Sequence, residues 1–455
     1  MRRLTTLVAT TAAFLAVATP ACAASQQLTY TYGPVRLAPF EVDQGIALTD
    51  VPKPSVDGHV THMEVEVVDA KGQKISPKKL MLHHIVFLNL GEGLNFDHHD
   101  WTCSIFTGID GRTKLPALAD RFYAAGEERN VLDLPPGYGY PVKGKDNWIL
   151  TWMLMNHHSH SSNAYIRYRL NYETAPLRPA YMVWLDVRNC LGDPVFDVPG
   201  GGTPGSTYAQ TATWTATQAG RIVAGGGHLH GGGKSVVLSQ PDCGDRQLFV
   251  SRPLYGPPDH VFYEVTPALH EPGPINMSGF LTATGIPVAK GQRLKITANY
   301  DNRWPHVRVM GIFGVYFSPD PAVANGCEPI PPDLESRAST EPGRADPPRF
   351  PVPLVRQPRG RVRSLRSGAT VRVDDAGYSY ERIALRKGAK LRWRFAGSGL
   401  HNVTLASGPR GFSSPNLDRN RRFSHRFSVS GTYKLFCTLH PTEMVQVIRV
   451  KRPRP

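Results

Sequence analysis

Short runs in which apolar and polar residues alternate at every second position recur along the chain, broken by Gly, Pro, Asn and Asp. A two-residue period puts neighbouring side chains on opposite faces of a strand. In Met63-Glu64-Val65-Glu66-Val67 the apolar residues share one face, so His62 and the two glutamates are expected to face solvent. Longer apolar strands follow at Leu80 to Asn89, which contains the adjacent pair His83-His84, and at Asp146 to Asn156, which ends in His157, His158 and His160. Ile222 to Lys234 carries His228 and His230 between glycines, and Asn299 to Phe317 carries His306 and Met310. From Glu328 to about Val362 Pro is dense and apolar periodicity is absent, as in an extended, semi-rigid or disordered linker. Beyond it, Ala369-Val373, Arg382-Leu385, Gly388-Phe395, His401-Leu405, Phe423-Phe427 and Val445-Val450 alternate between turn signals. His425 falls on the polar face of its segment and is discounted. The pattern predicts an all-β chain with a large N-terminal part, a linker and a C-terminal β-sandwich.

Composition supports this reading, with 43 Gly and 40 Pro in 455 residues. The net charge of +15 does not indicate nucleic acid, because Arg residues crowd into the linker and C-terminal module without forming a nucleic-acid motif. It suits an acidic redox partner, an anionic cell surface, or solubility alone. Met1-Arg2-Arg3, an apolar run from Leu7 to Ala18 and Pro20-Ala21-Cys22-Ala23 read as a secretory signal peptide cleaved near Ala23. A lipoprotein role for Cys22 is disfavoured because Thr19 stands three positions before it. No other apolar run spans a bilayer, so the mature chain is expected outside the cell or in the periplasm, without a transmembrane segment.

Cleavage leaves Cys103, Cys190, Cys243, Cys327 and Cys437 of the six cysteines. The first four can form two bridges in three ways, and Cys437 is left over. An odd thiol in an exported protein asks for an explanation. Tyr433 to Met444 supplies one, since Cys437, His440 and Met444 share a short loop and His401 stands at the mouth of an upstream strand. A structural Cys, a surface His and a core Met would also give this set, but leave the cysteine parity unexplained. Two His and one Cys with a weak axial Met are the ligands of a type 1 copper site, which transfers single electrons. Roughly the last 90 residues, including Asn402 after the first His, resemble the cupredoxin family, plastocyanin and amicyanin in particular. The Cys-x2-His-x3-Met spacing is intermediate between those two.

In the N-terminal part, His228 and His230 at i, i+2 share a strand face and could present two imidazoles to one metal. His83 and His84 could do so only at a bulge or a strand end. Satisfied structural histidines are the bland reading of both pairs, and a core position is that of Met310. Polar His98-His99 is taken as solvated. Together these segments, from about Pro34 to Cys327, resemble the copper type II, ascorbate-dependent monooxygenases such as peptidylglycine alpha-hydroxylating monooxygenase, and a plant stress-up-regulated nodulin family. That resemblance implies two β-sandwich halves (24-175 and 176-327) before the linker (328-362) and the cupredoxin (363-455). It further implies an electron-supplying copper on His83, His84 and His157, and an oxygen-activating copper on His228, His230 and Met310. His158 or His160 are alternatives to His157, and His306 to Met310. It also implies Cys190 bridged to Cys327, leaving Cys103 with Cys243.

Three functions compete. The type 1 copper could be the redox site of an electron carrier that meets a partner protein or small reductant. A hydroxylase fed by its own cupredoxin would use molecular oxygen and an unidentified substrate, with no catalytic residue assigned. A sequestering protein would bind up to three coppers without turnover. Fold analogy alone does not choose among them.

Overall fold

The chain is all-β, described here by a computed structural model that covers residues 25–92, 98–107 and 113–452. The expected signal segment and its cleavage site lie outside the described residues. No helix among the described residues is long and apolar enough to cross a membrane.

Six large sheets form three face-to-face pairs. In the first pair, a sheet built on Ser25–Leu37, Ser162–Glu173 and Gly58–Val68 packs on one built on Val42–Ala47, Asp146–Asn156, Leu80–Glu92 and Asp120–Gly126. The strands alternate as the sequence requires. Met63 and Val67 are buried while His62 is partly exposed beside Asp133. Between the sheets, the Phe87 ring meets Phe122, Tyr123, Trp148 and Tyr168 at centroid distances of 4.9 to 6.3 Å. Buried area of this kind is the main stabilising term.

The second pair sets Tyr181–Asp186, Gly311–Pro319, Gly220–Leu229 and Gly279–Val288 against Thr207–Thr215, Arg293–Asp301, Gly233–Gln240 and Arg246–Ser251. Its core is continuous with the first, because Met182, Val223, Ala224 and Tyr316 belong to the first apolar cluster. The third pair, from Arg363 to Lys451, closes around Trp393, Phe395, Leu391, Phe427 and Tyr433. Here the expectation for His425 fails. Its ring stacks on Phe412 at 3.7 Å, and burial pushes its pKa down to about 4. The two-residue period itself puts His425 on the inner face with Phe423 and Phe427, while Arg422, Ser424 and Arg426 face out, so the expectation misread the face.

The disulfides also depart from expectation: Cys103 bonds Cys190 and Cys243 bonds Cys327. The first bridge lies where Thr107 pairs with Leu191, so the chain is already brought together there. The second ties the turn after Gly233–Gln240 to the segment that follows the strand Gly311–Pro319. Both Cα separations, 5.8 and 5.4 Å, are ordinary for a bridge.

The Pro-rich stretch is extended and carries specific contacts. Glu335–Arg337 adds to the strand Gly279–Val288, Arg349 lies 3.9 Å over Trp304, and Arg356 pairs with Glu381 of the third sandwich. That sandwich also docks directly on the second. Ser413 N–H and Oγ–H donate to Asp197 at 2.6 and 2.8 Å, and Arg308 donates to Ser414 O at 3.1 Å.

Candidate metal centres

The turn between the strands Gly431–Phe436 and Val445–Lys451 is tightly wound. The N–H of Cys437 donates to Met444 O at 3.0 Å, and that of His440 donates to Cys437 O at 3.2 Å. His401 comes from another loop, held by reciprocal backbone bonds with Leu417 at 2.9 and 2.8 Å. As a result His401 Nδ1 lies 3.2 Å from His440 Nδ1, and Cys437 Sγ lies 3.6 Å from the same His440 atom. These are the edge lengths of a triangle whose corners bind one metal at about 2.0 to 2.3 Å. Met444 is 1 % exposed in the same turn, on the apolar side.

Surrounding groups fix the donors. Asp375 Oδ1 accepts from His401 Nε2–H at 2.9 Å, which leaves Nδ1 as the lone pair facing the sulfur. The Ser398 N–H and the His401 ring hold the Asp375 carboxyl below its usual range. Asn402 ties the two loops together. Its N–H donates to Cys437 Sγ at 3.3 Å, and its side chain bonds Thr438 at 2.7 and 3.0 Å and Asn416 at 2.9 Å. Burial pushes the Cys437 thiol up, opposed by backbone N–H groups and by Arg308. The donor set fits a soft, one-electron metal such as copper. Asp375, Asn416 and Thr438 were not singled out in the sequence; short polar residues in loops resemble any turn.

A second concentration of imidazoles lies in the N-terminal part. The ladder between Asp146–Asn156 and Leu80–Glu92 pairs Met153 with His84 and Leu154 with Leu82, so His83 is the extra residue of a bulge. Both rings are thereby brought together, with centroids 5.4 Å apart. The His83 ring also meets His230 at 4.9 Å and His270 at 4.8 Å, while His228 and His230 are 5.1 Å apart. His83 of one expected triad and His230 of the other are therefore neighbours. His157 donates through Nδ1 to Pro267 O at 3.0 Å, and burial pushes its pKa down to about 4. His158 and His160 stack on each other at 4.5 Å. Met310 lines the cavities on both sides of the imidazoles, and His306 is held instead by Glu271 at 2.9 Å.

The organiser of this cluster is a turn the sequence did not flag. At the end of Asp120–Gly126, Glu127 accepts from His83 Nδ1–H at 2.8 Å, from His270 Nε2–H, and from Gly273 N–H at 2.7 Å. Glu128 accepts from His228 Nδ1–H at 2.9 Å. Burial alone would raise the Glu127 carboxyl, but the imidazoles against it hold it well below its usual range. Burial lowers His230 and takes His84 to about 3, so both are neutral bases near pH 7. Gly126 makes room for this turn, since a Cβ there would meet Glu128 Oε2 at 2.5 Å and His228 Cε1 at 3.0 Å. Gly126→Ala is therefore expected to separate the His228–Glu128 pair and to cost about 1–3 kcal/mol of stability, read as a lowered thermal midpoint.

No known protein family and no curated protein matches the chain. Among solved structures, a purple cupredoxin from Nitrosopumilus maritimus is 26% identical over 18% of this chain and 99% of that chain, with a TM-score of 0.17. An amicyanin mutant in its Cu(I) form is 24% identical over 19% of this chain and 86% of its own, with a TM-score of 0.18. A second amicyanin mutant, reduced at pH 4, is 25% identical over the same shares with the same score. These likenesses reach about a fifth of the chain.

Proposed function

We propose that the C-terminal sandwich is a copper protein of the type 1 kind that carries single electrons. The observation that carries this reading is the convergence of Cys437 Sγ with the His401 and His440 Nδ1 atoms, the His401 Nδ1 lone pair being freed by the Nε2–H bond to Asp375. Copper bound there would supply a reversible one-electron couple. The chain's own part is to keep the ligands still. Asn402 clamps both ligand loops, Asp375 fixes the His401 tautomer, and burial keeps water from the sulfur. Little rearrangement then accompanies a change of charge.

A second reading, an oxygen-using enzyme served by its own electron carrier, is favoured by one cavity. It has a volume of about 680 Å³ and is walled on one side by His83, His84 and His230, and on the other by Leu405, Ala406 and Phe436 of the third sandwich. Arg308 bridges the same gap, reaching Ser414 on one side and Asp193 on the other at 2.8 Å. A small reductant or a redox protein would deliver the electrons, and export would place the reaction outside the cytoplasm.

The test is metal content and the visible spectrum of the mature chain after reconstitution. About one copper with an intense thiolate band supports the carrier alone. Further metal in the imidazole cavity supports the two-centre reading. Absence of the band overturns the type 1 assignment.

A further inference from the structure

Glu127 is a buried carboxylate whose partners, among the described residues, are two imidazoles and one backbone N–H. Buried carboxylates are costly unless a cation or a full set of donors balances them. Neighbouring Glu128 adds a second buried acid, bonded to His228 and Asn130. The ligand atoms of His83, Glu127 and His270 all lie within 4.8 Å of one another. Both imidazole nitrogens address the same oxygen, Oε1, while Oε2 is fixed by Gly273. In the metal-free chain those two nitrogens donate to Oε1; release of both protons to solvent on metal binding would turn one oxygen and two nitrogens towards a common point.

A second observation points the same way. The Nε2 of His230, the Nδ1 of His84 and the Nδ1 of His270 are buried without a hydrogen-bond partner. His230 is one-tenth exposed at most, and its ring stands 4.9 Å from His83. Buried polar atoms are normally paired, so these nitrogens mark a polar pocket with unmet demand beside the triad; those of His84 and His230 belong to neighbouring rings, and that of His270 lies on the ring edge opposite the Nε2 that meets Glu127.

We propose that His83, Glu127 and His270 are the ligands of a second metal ion, a divalent ion of the class that takes mixed nitrogen and oxygen donors, such as ferrous iron. Two His and one carboxylate on one face leave the remaining positions open. Those positions give onto the cavity lined by His83, His230, His270, Trp304, Arg349 and Phe350. The carboxylate decides the metal class. A cuprous ion is satisfied by the imidazoles alone and gains little from a hard anionic oxygen, whereas a divalent ion has its charge half balanced by it. The site is separate from the Cys437 site in its residues and in its chemistry, and stands or falls independently of it.

The experiment uses the full mature chain, stripped of metal and loaded anaerobically with ferrous iron, with iron counted after desalting. Wild type should keep about one iron per chain. Glu127→Gln and His270→Gln should each weaken retention by about a hundredfold or more, beyond the 10–100-fold of losing an outer partner. Near-UV circular dichroism of each variant reports whether the fold persists, and His270→Gln preserves the Glu127 contacts to His83 and Gly273. Nitric oxide added to the ferrous protein should give a half-integer-spin resonance in wild type and not in the variants. Iron retention equal in wild type and in folded variants would overturn the proposal. So would wild type that binds no ferrous iron, or that binds only cuprous ion with unchanged affinity in Glu127→Gln.

Discussion

Cys437→Ser is expected to abolish the intense visible band of the copper-loaded chain and to leave its fold intact. The thiol is 0 % exposed and sits at the centre of the ligand triangle, so no other sulfur can take its place at the trigonal position. Serine is close in size, and its oxygen can still accept the Asn402 N–H that the sulfur now accepts at 3.3 Å. Copper affinity at this site should fall by more than the 10–100-fold typical of an outer partner. Because burial raises the thiol in the absence of metal, loading must expel its proton. Affinity in wild type should therefore rise with pH, about tenfold per unit while the thiol is protonated, and the serine variant should lose that slope. A retained band would sink the assignment.

Trp393→Ala should produce the largest loss of stability in the same sandwich. Its indole is 0 % exposed, meets Phe412, Phe423 and Phe427 at 5.8 to 6.4 Å, and donates to Gln446 Oε1 at 3.1 Å. Truncation of such a ring costs about 3–5 kcal/mol, and the stranded Gln446 Oε1, whose amide nitrogen keeps its bond to Tyr380 O, adds about 1–3 kcal/mol. Denaturant unfolding followed through the thiolate band reads this sandwich alone. A midpoint within experimental error of wild type would show that the indole is not the core's keystone.

The sequence made the sandwiches legible because strand alternation is local: the pattern in Lys390–Phe395 is the burial pattern of the folded strand. The donors of the Cys437 site were legible for a similar reason, since three of them lie in one loop. Glu127, Glu128 and His270 were not. Their meaning arises from contacts 44, 143 and 100 residues apart, and a Gly-Glu-Glu turn looks like any solvated corner until those partners arrive. The bulge at His83 was foreseen only as a condition for the adjacent pair to work together. Disulfide pairing likewise needs the third dimension, and the bridges follow which loops adjoin, with sequence separations of 87 and 84 that no spacing rule selects.

The strap between the second and third sandwiches has a kinetic meaning. Asp333 accepts from Thr282 Oγ–H and Thr284 N–H, each at 2.9 Å, and Arg356 grips Glu381 at the far end. With Asp197 fastened to Ser413 as well, the third sandwich does not have to find the second by diffusion. On the proposed reading, electron exchange between them would be a first-order event, set by geometry and independent of dilution. A step that delivered reducing equivalents from outside would keep a bimolecular rate, and there the excess of positive charge would register as a dependence on salt.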